Sequence, residues 1–188
     1  MPYIAAKGIV DRRFHLIILD VASQLAATSE SAKHLVRRVE RLLDREVRIV
    51  VVGAEDGPRP PHDVCPEIGG LSRVFLSVWT PRGEIFGFNQ WGPAVSLTKG
   101  PADTPDAAAA RILDLIAGPA EIRPGQILVI GEHFGPGGRD RVFATKAFTG
   151  ARLVTVTEAE DLPLEVRKVP IVPESTVALL DTLLWIWG

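Results

Sequence analysis

Three segments of the chain are nearly uninterrupted apolar runs of strand length: FHLIILDV (14–21), VRIVVVGA (47–54) and QILVIGE (126–132). Runs of this kind predict strands buried on both faces of a parallel sheet, where no side of the strand meets water. ARLVTVTEA (151–159) predicts a further strand. Between the first two, SAKHLVRRVERLLDRE (31–46) places Ala32, Leu35, Val36, Val39, Leu42 and Leu43 at intervals of three and four, with Arg and Glu on the other side. That spacing predicts a one-faced helix, and strand, helix, strand in this order predicts a right-handed parallel crossover.

The middle of the chain reads differently. EDGPRPPHDVCPEIGG (55–70) carries four prolines and three glycines in 16 residues, which sustains neither helix nor ladder and predicts a long loop at the carboxyl end of a strand. RVFLSVWT (73–80) and GEIFGFN (83–89) flank Pro81-Arg82 and predict a β-hairpin, followed by a short strand at 94–98. Thr104 before Pro105 and Asp106 is an N-cap, a first-turn proline and a first-turn acid, so PDAAAARILDLIAG should be a helix closed near Gly118. RDRVFATKAF (139–148) predicts a short helix. STVALLDTLLWIWG (175–188) predicts a helix apolar on more than one face, which must be buried in the fold or in a subunit contact. These elements sum to a three-layer α/β/α domain: one unit over residues 1–188, with a mostly parallel central sheet of about five or six strands and an inserted hairpin.

Bulk properties narrow the partners. A chain of 188 residues with 46% hydrophobic and 23% charged content can bury a full core. A net charge of −2 and a pI near 6.1, with Lys and Arg interspersed among acids, argue against nucleic acid and anionic lipid as partners. The absence of an 18-residue apolar run and of a signal-like start predicts a cytoplasmic protein without a membrane span. One cysteine, Cys65, rules out an internal disulfide and a multi-cysteine zinc site. It lies three residues after His62 in the proline-rich loop, where nothing positions the two as nucleophile and base.

Because ligands in open α/β sheets bind outside the carboxyl ends of the strands, four places are candidates for chemistry. Asp20 ends the first strand; desolvation at the site mouth would raise its pKa and suit it to proton transfer, the alternative being a carboxylate that caps backbone amides. Lys99 follows the 94–98 strand and could hold such a carboxylate ionised or stabilise an oxyanion. Asp56 and His62 could ligate a divalent metal, although two ligands make a thin site and no cofactor is otherwise expected. The elbow GEHFGPGGRDR (131–141) offers the backbone amides of Gly135, Gly137 and Gly138 as an anion nest, with Arg139 and Arg141 adding charge. It contains no Ser, Thr or Cys nucleophile, and His133 is its candidate general base.

Taken in order, these pieces resemble the isochorismatase/nicotinamidase-like hydrolase superfamily. LIILDVASQL is similar to that family's first strand and places Asp20 on its catalytic aspartate. EDGPRPPHD is similar to its metal loop, with Asp56 and His62 at the matching separation and Pro58 where a middle histidine belongs. LTKGP is similar to the strand end that carries the catalytic lysine, hence Lys99. ILVIGEHFGPGGRDRVFATKAFTGARLVTVTEA is similar to the strand, nucleophile turn, helix and following strand of the family, over a total span of about residues 14–160. The chain departs from the pattern in the elbow, where Gly137, Gly138 and Arg139 stand in the neighbourhood of the nucleophilic cysteine, and in the hairpin at 73–89.

What the resemblance implies is a hydrolase that works without a thiolate on a small anionic metabolite, as isochorismatases proper cleave a vinyl ether by acid–base catalysis. Asp20 would donate the proton, Lys99 would tune it and bind the anion, and the elbow amides would hold a carboxylate. The competing expectation is a catalytically degenerate α/β module, or a von Willebrand A-like one in which Ala22 replaces the first serine of DxSxS. Such a module would act through protein binding or homo-oligomerisation, using the hairpin or the C-terminal helix with Trp185 and Trp187. Anion or nucleotide binding at the elbow without hydrolysis is a third.

Overall fold

The fold was obtained as a computed structural model, which describes residues 8–21, 29–53, 74–79, 84–88, 95–96, 100–158, 160–169 and 175–187. Strand β1 (Leu16–Asp20) leads into helix α1 (Ser29–Leu43), and β2 (Arg48–Val52) returns parallel to β1 with Leu16 opposite Arg48 and Leu19 opposite Val51. Strand β3 (Val74–Trp79) adds in parallel to β2, then β4 (Ile85–Phe88) and β5 (Val95–Ser96) turn back antiparallel. The expected hairpin is therefore present and extends one margin of the sheet.

The second half repeats the alternation on the other side of β1. Helix α2 (Pro105–Ile116) opens on Thr104, whose hydroxyl accepts from the Ala107 amide at 3.1 Å, as the sequence predicts. Strand β6 (Ile127–Gly131) then inserts beside β1 with Leu16 opposite Ile127 and Asp20 opposite Gly131. Strand β7 (Arg152–Thr155) and the short β8 (Val166–Lys168) follow in parallel, and helix α3 (Ser175–Trp187) closes the chain. Among the described residues the order is β5-β4-β3-β2-β1-β6-β7-β8, with six parallel strands, in line with the expected five or six, and the antiparallel β4 and β5 added by the hairpin. The predicted helix over 139–148 is instead two 3-10 helices, Arg139–Ala144 and Lys146–Phe148.

Three layers follow from alternation along the buried strands. Ile17, Leu19, Ile49, Val51, Leu128 and Ile130 face α1 and α3, while Leu16, Ile18, Val50, Val52, Ile127 and Val129 face α2 and the 3-10 segments. Helices α1 and α3 pack on each other and are joined by Arg38 Nε donating to Asp181 Oδ1 at 3.0 Å. Among the described residues, no helix is long and apolar enough to cross a membrane.

Candidate functional site

The chain runs from β1 outward through β2 to β3, then restarts beside β1 at β6 and runs outward the other way. At that reversal the elements after β1 and β6 cover opposite faces of the sheet, and the carboxyl ends of such a strand pair are where open α/β sheets bind ligands. Asp20 is the last residue of β1, and the elbow begins at the end of β6. Following Leu16 and Ile18 by alternation, Asp20 points to the face covered by α2 and the 3-10 segments.

There Asp20 meets Arg139. The guanidinium donates from Nη2 to Asp20 Oδ1 at 2.6 Å and from Nε to Asp20 Oδ2 at 2.8 Å, a two-point pairing that fits its planar fork. Nη2 also donates to the Gly53 carbonyl oxygen just beyond β2, at 2.6 Å. Both side chains are fully buried. His133 Nδ1 lies 3.1 Å from Asp20 Oδ2, and its side chain is 28% exposed, so the imidazole connects the buried pair to solvent. An ionised carboxylate only accepts, which makes Nδ1 the protonated ring nitrogen.

A second carboxyl, Asp140, lies beside the first. Its Oδ2 accepts the His133 backbone N–H at 3.0 Å, and its own N–H donates to the His133 carbonyl at 3.0 Å. Burial, and then the neighbouring Asp20 charge, push the Asp140 carboxyl well above the ordinary carboxylate value. Asp140 Oδ1 is buried without a hydrogen-bond partner, which an ionised group would tolerate poorly. Burial also acts to raise Asp20, but the hydrogen bonds from His133 and Arg139 and the Arg139 charge outweigh it and hold Asp20 below its usual value. With Asp140 neutral, Asp20 negative and Arg139 positive, these three buried side chains carry no net charge.

Asp20, His133 and Arg139, three separate candidates in the sequence, converge in the fold. The expected rise in the Asp20 pKa is not found, because Arg139 supplies a bidentate countercharge; Asp20 therefore has no proton to donate near neutral pH. Nor is Arg139 poised toward an outside anion, since its side chain is fully buried and its Nε and Nη2 are turned to Asp20 and the Gly53 carbonyl. The Gly138 amide of the expected nest turns inward to the Gly135 carbonyl at 2.9 Å. Gly137 adopts a positive φ of 74°, and a Cβ on Gly138 would collide with the His133 carbonyl oxygen, so this turn requires glycine at both places. Asp140 was missed; an acid between two arginines reads as a solvated charge.

Asp20, His133 and Asp140 bring potential ligand atoms within 4.8 Å of one another, close enough for one metal ion. The guanidinium of Arg139, engaging both Asp20 oxygens, already provides the positive charge there. Lys99, Asp56, His62 and Cys65 lie outside the described residues. Comparison with protein-family models, with curated proteins and with solved structures finds no match.

Proposed function

We propose that this chain is an α/β hydrolase resembling the isochorismatase/nicotinamidase superfamily, acting without a cysteine nucleophile on a small anionic metabolite. The observation that carries this reading is the Asp20–His133 pair at the carboxyl ends of β1 and β6, with the histidine as its solvent-reaching member. A carboxylate that orients an imidazole and stabilises its cation is the usual support of a histidine acid–base. The proton-transfer role thus falls to His133 rather than to Asp20. The imidazolium gives a proton to the vinyl carbon of an enol ether, water adds to the resulting oxocarbenium carbon, and the neutral ring takes the proton that water loses; the hemiketal so formed then breaks its C–O bond to the ring alcohol, its hydroxyl proton passing to the leaving oxygen, which releases pyruvate and the alcohol. Lys99 retains its proposed role as partner of the substrate's carboxylate, in a cytoplasmic enzyme. Isochorismate is the probe. Wild-type protein should release pyruvate above the uncatalysed rate, and His133→Gln should lower kcat by about 10²- to 10⁴-fold. A folded wild type that releases none removes this reading.

A second reading has its own support. The Asp20–Arg139 pair is sealed from solvent, which suits a degenerate module whose ion pair has become structural. Trp185 is 60% exposed on α3, next to buried Leu183 and Leu184, and offers a contact for a second copy of the chain. On this reading light scattering finds a dimer or larger species, and Trp185→Glu returns it to monomer. A monomeric wild type counts against it.

A further inference from the structure

The elbow contains two carboxyl-based contacts with one histidine, and they differ in kind. Asp20 meets the imidazole at 3.1 Å, whereas Asp140 hydrogen-bonds the backbone of the same residue, accepting its N–H and donating to its carbonyl, with its Oδ2 standing 4.0 Å from the ring Nδ1. The second contact closes a small ring of two reciprocal hydrogen bonds between residues 133 and 140. That ring determines where the 133 Cα sits relative to β1, and so where its side chain must point.

We propose that Asp140 is the positioning residue of His133: by clamping the His133 backbone from both sides, it holds the imidazole on Asp20. Three features of the surroundings fit this assignment. Gly131, the first residue of the elbow, has no room for a Cβ because the Asp140 carboxyl and the Phe134 ring occupy that space. The Asp140 side chain is fully buried, so solvent does not compete for its oxygens. Arg139, the residue before it, anchors the start of the 3-10 helix to Asp20 and to Gly53, which fixes the far side of the clamp. An acid in this place, kept neutral, adds an acceptor for the His133 amide without adding a second negative charge beside Asp20.

The assignment rests on the reading of His133 as the proton-transfer group, and its test follows ring geometry rather than turnover, so the two can fail separately. In proton NMR of the full chain, the Nδ1–H of His133 bonded to Asp20 should appear as a low-field resonance that vanishes in His133→Gln. Asp140→Asn keeps an oxygen for the His133 amide and should retain the resonance. Asp140→Leu fills similar space with no acceptor and should lose it, while the Arg139 Nε–H signal, reporting the Asp20 pair, persists. Persistence of the His133 resonance in the leucine variant, or its loss in the asparagine variant, overturns the proposal. Because the leucine variant can fail to fold, a second measurement uses wild type alone. The His133 backbone amide should exchange with deuterium at least about 100-fold more slowly than an unprotected amide; exchange at the rate of an open loop also overturns it. Pyruvate release absent with the resonance pattern intact sinks the proposed chemistry and leaves the positioning role standing.

Discussion

The two faces of the sheet are covered by different means. On one, helices α1 and α3, of 15 and 13 residues, lay a continuous apolar layer over Ile17, Leu19, Ile49, Val51, Leu128 and Ile130. On the other, α2 covers part of the sheet and short 3-10 turns cover the rest, and the buried Asp20, Arg139 and Asp140 sit where those turns meet the strand ends. Long helices can bury area, but their backbone polar groups are consumed internally. Short turns leave amides and carbonyls near the strand ends, where they can be directed at buried charges. Both faces bury apolar side chains, and the second also holds polar groups in fixed positions at a stability cost that the apolar burial offsets.

Three measurements separate these roles, beginning with the largest expected effect. Arg139→Ala leaves Asp20 buried without its countercharge and should cost about 3–5 kcal/mol in denaturant unfolding. It should also abolish the low-field His133 resonance. Leu183→Ala, in the fully buried centre of α3, should cost about 3 kcal/mol through lost contacts and a cavity, yet leave that resonance unchanged. Loss of the signal in Leu183→Ala would mean that the two faces are not separable.

The smallest effect is a pH slope. Asp140 has a folded pKa above the unfolded carboxyl value of about 3.9. Its contribution to stability is therefore fully present below that value and declines as pH rises toward the folded one. Asp20 is shifted the other way, so its contribution is present above about 3.9 and is lost as pH falls through its lower folded value. Asp140→Asn removes only the first dependence. Relative to wild type it should gain with rising pH, by up to about 1.4 kcal/mol per unit inside the window. Chemical denaturation at several pH values reads this, and a flat difference would mean that Asp140 is not held protonated.

How much of this was legible depended on whether burial left a mark in the residue pattern. The apolar strands β1, β2 and β6 and the capped α2 declared themselves, because two-sided burial and a Thr-Pro-Asp cap each require particular residue types. β8 did not: only Val166 of its three residues is buried, and Arg167 and Lys168 look like loop. The 139–148 segment was read as one helix because its apolar residues cluster. In a 3-10 turn residues three apart eclipse, so Arg139 lines up with Val142 and Asp140 with Phe143, and all four are buried. Two charged residues taking the same direction inward as two hydrophobic ones is invisible to a pattern that sorts by polarity. The site was legible residue by residue at Asp20, His133 and Arg139, but not their pairing, which joins positions 119 and 113 apart in the chain.

The margins of the sheet bear on how copies of this protein can meet. Exposed strand backbones invite another chain to add its own, which is the usual route to fibrous aggregation. Here the outermost strands are β5, two residues long, and β8, three residues long, and β8 presents the exposed cations Arg167 and Lys168. Two such short borders, one of them charged, offer a poor template for growth of the sheet. At both described margins the sheet therefore stops, rather than offering a long backbone edge to a neighbouring chain.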